Sequence, residues 1–182
     1  MSRSRSGGDW SMVILQIFTH SFGGMGMDCR HIQFCEQVEQ VDLHQLQALF
    51  RMAAFWAKDR RLDDLAVAIA NSAPVISVWD RQQLIGFARA TSDGVYRATI
   101  WDVVIHPDYQ GAGLGRKLVQ TVLSHPKVNR VERVYLMTTH QQSFYTRIGF
   151  EENRSTTMVL HNQPISVTCT LREELEAAIG NY

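Results

Sequence analysis

A mixed α/β domain, with a mostly antiparallel sheet flanked by helices, is the fold class that this 182-residue sequence predicts. Three observations carry the prediction. Two segments with apolar residues at helical spacing precede a set of strand-like runs joined by short polar turns, as in an antiparallel meander; a glycine-rich loop then leads into a further amphipathic helix.

Ile32 and Phe34 alternate with polar neighbours and predict a first strand, after which Asp42 can cap a helix with Gln45 completing a capping box. Leu43, Leu46, Phe50, Ala53 and Ala57 recur at helical spacing, and Leu62, Leu65, Ala66 and Ile69 form a second apolar stripe that Asn71 can stop. Strand-like runs at 75–79, 84–91 and 99–105 are joined by Asp80-Arg81-Gln82 and Ser92-Asp93-Gly94. Beyond Pro107 a loop opens a helix carrying Leu114, Leu118 and Val122, with Pro126 past its end. A strand at 131–137, a short helix at 141–148 and a closing strand at 156–160 complete the order. A last helix is expected from the Thr170/Glu173 capping box to Gly180. The expected organisation is an extension over 1–30, a main domain over 31–161 and a tail over 162–182.

Composition narrows the function. Eighteen basic residues balance eighteen acidic ones, so no field favours a nucleic acid or an anionic membrane, and neither is expected as a partner. Cys29, Cys35 and Cys169 lack Cys-x-x-Cys spacing, and the seven histidines show no helical pairing, so no metal and no disulfide framework are expected. A reducing compartment fits: the cytoplasm, or the plastid stroma in a photosynthetic eukaryote. The apolar run at 10–18 behind Arg3 and Arg5 is too short to span a bilayer.

Gln110-Gly111-Ala112-Gly113-Leu114-Gly115-Arg116 lies between a strand and a helix, where backbone N–H groups and the helix dipole can hold an anion such as a pyrophosphate. A tight turn without a ligand is the alternative. The dinucleotide fingerprint fails because its third glycine position holds Arg116, and a phosphate-binding Walker loop fails because Arg116-Lys117-Leu118 follows Gly115.

Gln110-x-x-Gly113-x-Gly115, preceded by Ile105-His106-Pro107 and followed by Phe144-Tyr145 and Gly149-Phe150, resembles the signature of the GNAT superfamily. The segments 84–93 and 98–103 are similar to the plastid and cyanobacterial branch related to serotonin N-acetyltransferase. The resemblance covers roughly residues 62–160. It implies a GNAT-like sheet and acetyl-CoA as co-substrate, held by Val103, Val104 and Ile105 of the preceding strand and by Gln110 through Arg116. It further implies a primary amine acceptor, favouring an arylalkylamine over a lysine or protein N-terminus, and direct attack in a ternary complex. A noncatalytic acyl-CoA-binding module would keep the loop without the catalytic residues. A homodimer is left open.

An alkylamine near pKa ~10.4 must lose its proton before it attacks, at about 4.6 kcal/mol at neutral pH. Tyr145 is the candidate acid for the departing thiolate, because the resembling family places a tyrosine opposite the sulfur; packing of the helix is the other reading. Asp102, a carboxylate inside an apolar strand, is the candidate base or amine-positioning group, with a structural pair to Arg89 as the alternative. The branch often carries an aspartate before the tyrosine helix, whereas Thr138 and Thr139 stand there and His140 could relay a proton.

Overall fold

The computed structural model describes residues 31–155 and 157–160, and it divides into two compact units, Met1–Gln141 and Gln142–Tyr182. The expected N-terminal extension and C-terminal helix lie outside the described residues.

In the first unit five strands, β1 (Ile32–Cys35), β2 (Val75–Asp80), β3 (Gln83–Ser92), β4 (Arg97–Ile105) and β5 (Arg133–Tyr135), form one sheet in chain order. The pairs from β1 to β4 are antiparallel and β4–β5 is parallel. A parallel neighbour requires a crossover, and helix α3 (Leu114–Ser124) supplies it. The mixed sheet flanked by helices is thus the fold class that the sequence predicts.

Helices α1 (Leu43–Ala53) and α2 (Leu62–Ala70) precede β2. Asp42 caps α1 by accepting from the amides of His44 and Gln45 at 2.9 and 3.1 Å. The reciprocal half of the expected capping box is replaced by a longer-range contact. Gln45 accepts from the Leu84 amide at 2.9 Å and donates to the Gln82 carbonyl at 3.2 Å, so it stitches the helix to the β2–β3 turn. Ala57 is buried but lies beyond the end of α1.

Leu46, Leu49 and Phe50 of α1 and Leu65 and Ile69 of α2 pack with Val75, Leu84, Phe87 and Val104 in one core, where Phe50 meets Phe87 edge to face at 5.8 Å. Ile76 and Val78 lie on the opposite pleat of β2 and are equally buried. Helix α3 packs on β2, β3 and β4 with Leu118, Val119 and Val122 inward. Burial on both faces explains why β2 and β3 read as nearly continuous apolar runs.

Two expected strands are reduced. β5 spans Arg133–Tyr135 rather than 131–137, because its ladder partners are confined to Arg97–Thr99. Over 157–160 there is no regular structure, and Met158, Val159 and Leu160 are exposed. Apolar alternation specifies a face, but a strand also needs a ladder partner. In the second unit α4 spans Gln142–Thr146, shorter than the 141–148 expected. Among the described residues no helix is long and apolar enough to cross a membrane, and no group of three metal-ligating side chains converges.

Candidate active site

The loop between β4 and α3 begins with a short 3-10 turn at Pro107–Tyr109, where the His106 ring accepts the Asp108 amide. Gln110 then folds back and donates to the Ile105 carbonyl at 3.0 Å. Gly111 and Gly113 adopt left-handed φ of +81° and +79°, and a Cβ on either would meet nothing within 4 Å. Backbone conformation, not crowding by the protein, calls for these glycines.

Gly113 is the N-cap of α3 and provides no side-chain cap. The amides of Leu114, Gly115 and Arg116 precede the first intrahelical bond, Lys117 N–H to the Gly113 carbonyl at 3.1 Å, so they carry the positive end of the helix dipole. Gly111, Ala112, Gly113 and Arg116 are exposed, Gly115 is partly so, and Leu114 turns its side chain into the core. An uncapped N-terminus of this length behind an exposed glycine turn has the donor set that a pyrophosphate requires.

β4 carries a bulge. Phe87 pairs with Val104 and Arg89 with Trp101, so Asp102 and Val103 together face Ala88, and Asp102 takes a left-handed φ of +56°. Pairing of β4 with β5 ends at Thr99–Tyr135. Among the described residues, the β5-facing edge of β4 beyond Thr99 therefore has no ladder partner, and Val103, Val104 and Ile105 lie on this stretch. Unpaired strand groups suit a ligand that itself contains amides.

Asp102 is buried, and its Oδ2 accepts from Arg89 Nε and Arg60 Nη1, each at 2.7 Å. Arg89 also donates to Ser72 Oγ at 3.0 Å. Burial pushes the Asp102 carboxyl up, but the hydrogen bonds and charges of Arg60 and Arg89 together outweigh it and hold the group below the ordinary carboxylate range. Such a carboxylate is a poor base. Moving a proton to it from an alkylammonium is steeply uphill. The Arg89 pairing weighed from sequence is present, and Arg60 is the partner that sequence reasoning missed. Arg60 sits in the irregular stretch between two helices, where nothing in the sequence points toward β4.

In the second unit, Tyr145 lies on α4 with its ring edge to face with Phe144 at 4.9 Å and with Phe150 at 5.8 Å. Its carbonyl accepts the amides of Ile148 and Phe150. Burial raises the phenol pKa, which keeps the hydroxyl protonated at neutral pH. Thr138 Oγ1 accepts the Gln141 amide at 3.2 Å, and His140 is exposed.

Comparison with known proteins bears on the family and the fold. The family description "Acetyltransferase (GNAT) domain" matches residues 71–152. The uncharacterized N-acetyltransferase ycf52 of Porphyra purpurea is 34% identical over 122 residues, 64% of this chain and 69% of that protein. The histone acetyltransferase TAP1 of Glycine max is 37% identical over 123 residues, 61% of this chain and 52% of that protein. A solved GNAT-family structure from Xanthomonas campestris superposes with a TM-score of 0.65 over 77% of this chain and 98% of that one, at 24% identity, which speaks to the fold. The chain spans roughly half to two thirds of the length of the curated relatives it matches. With the uncapped glycine turn, the bulged β4 and these relatives in agreement, the chain belongs to the GNAT acetyltransferases.

Proposed function

We propose that this protein transfers an acetyl group from acetyl-CoA to a primary amine by direct attack in a ternary complex. The observation that carries the reading is the uncapped start of α3 behind left-handed Gly113, which leaves the amides of Leu114, Gly115 and Arg116 as anion donors. In this reading the loop from Gln110 to Arg116 takes the pyrophosphate, and the open edge of β4 at Val103, Val104 and Ile105 takes the amide-containing arm. The amine nitrogen attacks the thioester carbonyl and the C–S bond breaks; the family resemblance assigns Tyr145 as the acid that gives its proton to the departing sulfur. The nitrogen sheds its proton to solvent or to a base outside Asp102, whose two arginine partners fit it for holding the bulge in place.

An arylalkylamine is the favoured acceptor, on the resemblance of 84–93 and 98–103 to the serotonin N-acetyltransferase-related branch. A second observation supports an aromatic acceptor. Phe55 and Trp56 are 70% and 50% exposed on the α1–α2 turn, edge to face at 5.1 Å, four residues before the Arg60 that bonds to Asp102 on β4. Trp101 and Phe144 are spoken for: Trp101 Nε1 donates to Thr91 at 2.9 Å and Phe144 packs on Tyr145. The named activity of the soybean relative favours a protein lysine instead.

Rates of acetyl-CoA consumption with tryptamine, serotonin, polyamines, free lysine and lysine peptides, with product masses, test the reading. Acetylated arylalkylamine at the highest kcat/KM is expected, with Tyr145→Phe lowering kcat by about 10²-fold. A tenfold preference for peptides would remove the arylalkylamine and leave the acetyltransferase, whereas undiminished turnover by Tyr145→Phe would remove Tyr145 from the mechanism.

A further inference from the structure

Tyr109 stands immediately before the glycine loop, and its hydroxyl donates to Asp80 Oδ2 at 2.6 Å across 29 residues of sequence. Asp80 ends β2, two strands away from β4 in the sheet. The other carboxylate oxygen meets His31 Nε2 at 3.1 Å, next to the start of β1. The bond with Tyr109 is the largest influence holding the Asp80 carboxyl low, and the same bond raises the Tyr109 phenol, so donor and ionised acceptor persist through neutral pH. The Tyr109 ring also stands edge to face with His106 at 5.7 Å, whose Nδ1 accepts the Asp108 amide at 3.2 Å. The turn at Pro107–Tyr109 is thus fixed by its ring packing and by a charge-assisted tether to the end of β2, at the same end of the sheet.

The loop beyond it is the opposite case. Gly111, Ala112 and Gly113 are exposed and two of them are left-handed glycines, so the segment that must present its amides has the widest backbone freedom. Where a binding loop is not held in its receptive form, ordering it is subtracted from the affinity.

We infer that Tyr109, anchored by Asp80, is a positioning residue that holds the phosphate loop in the form that receives acetyl-CoA. The inference rests on the reading of that loop as the pyrophosphate site. The Tyr109 hydroxyl is taken up by Asp80, so its contribution falls on cofactor affinity and not on the rate of the bound complex.

Calorimetry of acetyl-CoA with the full chain, and initial rates with the best acceptor of the amine panel, test this on Tyr109→Phe, Asp80→Ala, the double variant and Gly113→Asp. Tyr109→Phe keeps the ring on His106 and removes only the hydroxyl. Each single change is expected to raise the acetyl-CoA Kd and KM by about tenfold, the scale of one hydrogen bond to a charged group, with kcat at saturation within twofold. The double variant is expected to be no weaker than either single one, because both remove the same bond. Unchanged affinity in the folded single variants, additive losses in the double variant, or a fall in kcat at constant Kd would overturn the positioning role. If Gly113→Asp weakens binding while Tyr109→Phe does not, only that role falls. If Gly113→Asp also leaves binding intact, the loop reading fails and this inference with it.

Discussion

Asp102 illustrates how environment rather than residue type sets chemistry. From sequence, a carboxylate in an apolar strand could be a base or half of an ion pair; two guanidiniums at 2.7 Å make it a firmly ionised anchor. The Asp102→Asn variant keeps a residue tolerant of left-handed φ and removes the charge, leaving Arg60 and Arg89 facing an amide. A loss of about 3 kcal/mol at pH 7 is expected by denaturant melts, at the lower end for a broken buried pair because Arg60 is a third exposed. The folded carboxyl titrates below its unfolded value, so this stabilisation is complete above about pH 5 and fades as pH falls through the folded pKa. Wild type and variant should therefore converge in acid; a gap that widens there contradicts the assignment.

At the scale of elements, the strand–loop–helix unit from β4 to α3 joins two irregularities. The bulge at Asp102 and Val103 lies in β4, and the left-handed turn at Gly111 and Gly113 frees the first-turn amides of α3. Gly113→Asp places a β-carbon and a negative charge where an anion is to sit. A fall in acetyl-CoA affinity of about tenfold or more is expected by calorimetry, with Gly113→Asn, which tolerates positive φ, losing less. Equal losses for the two variants would assign the effect to bulk and backbone instead of charge. A folded Gly113→Asp protein with wild-type affinity would remove the loop from the binding site.

For the molecule as a whole, a ligand that binds only the folded chain stabilises it by mass action. At about 100-fold its Kd, acetyl-CoA should add about 2.7 kcal/mol and raise Tm by about 5–10 °C for a chain of this size. The same shift with desulfo-CoA but none with pantetheine would locate most of the affinity at the phosphate end, and no shift with millimolar acetyl-CoA would contradict the proposed substrate.

From β1 to α4 the types and order of the helices and strands were legible in the sequence, because local physics writes those patterns. Apolar spacing marked α1, α2 and α3, turn residues separated β2, β3 and β4, and the glycines of 110–116 marked the loop between β4 and α3. What only the tertiary structure decided depends on partners distant in the chain. The Gln45 side chain serves the β2–β3 turn instead of the Asp42 amide, because that turn offers a donor and an acceptor within reach. The run at 157–160 carries a strand pattern yet forms no strand. Gly86 reads as an ordinary strand residue, but a Cβ there would come within 2.7 Å of Ile105 and 3.0 Å of Val78, so the packing of β2 against β4 across β3 requires it. Asp102 acquired Arg60 from 42 residues away, a contact that fixes its charge and that no periodicity encodes. Period and propensity are properties of neighbours along the chain, whereas pKa, register and close approach are set by neighbours in space.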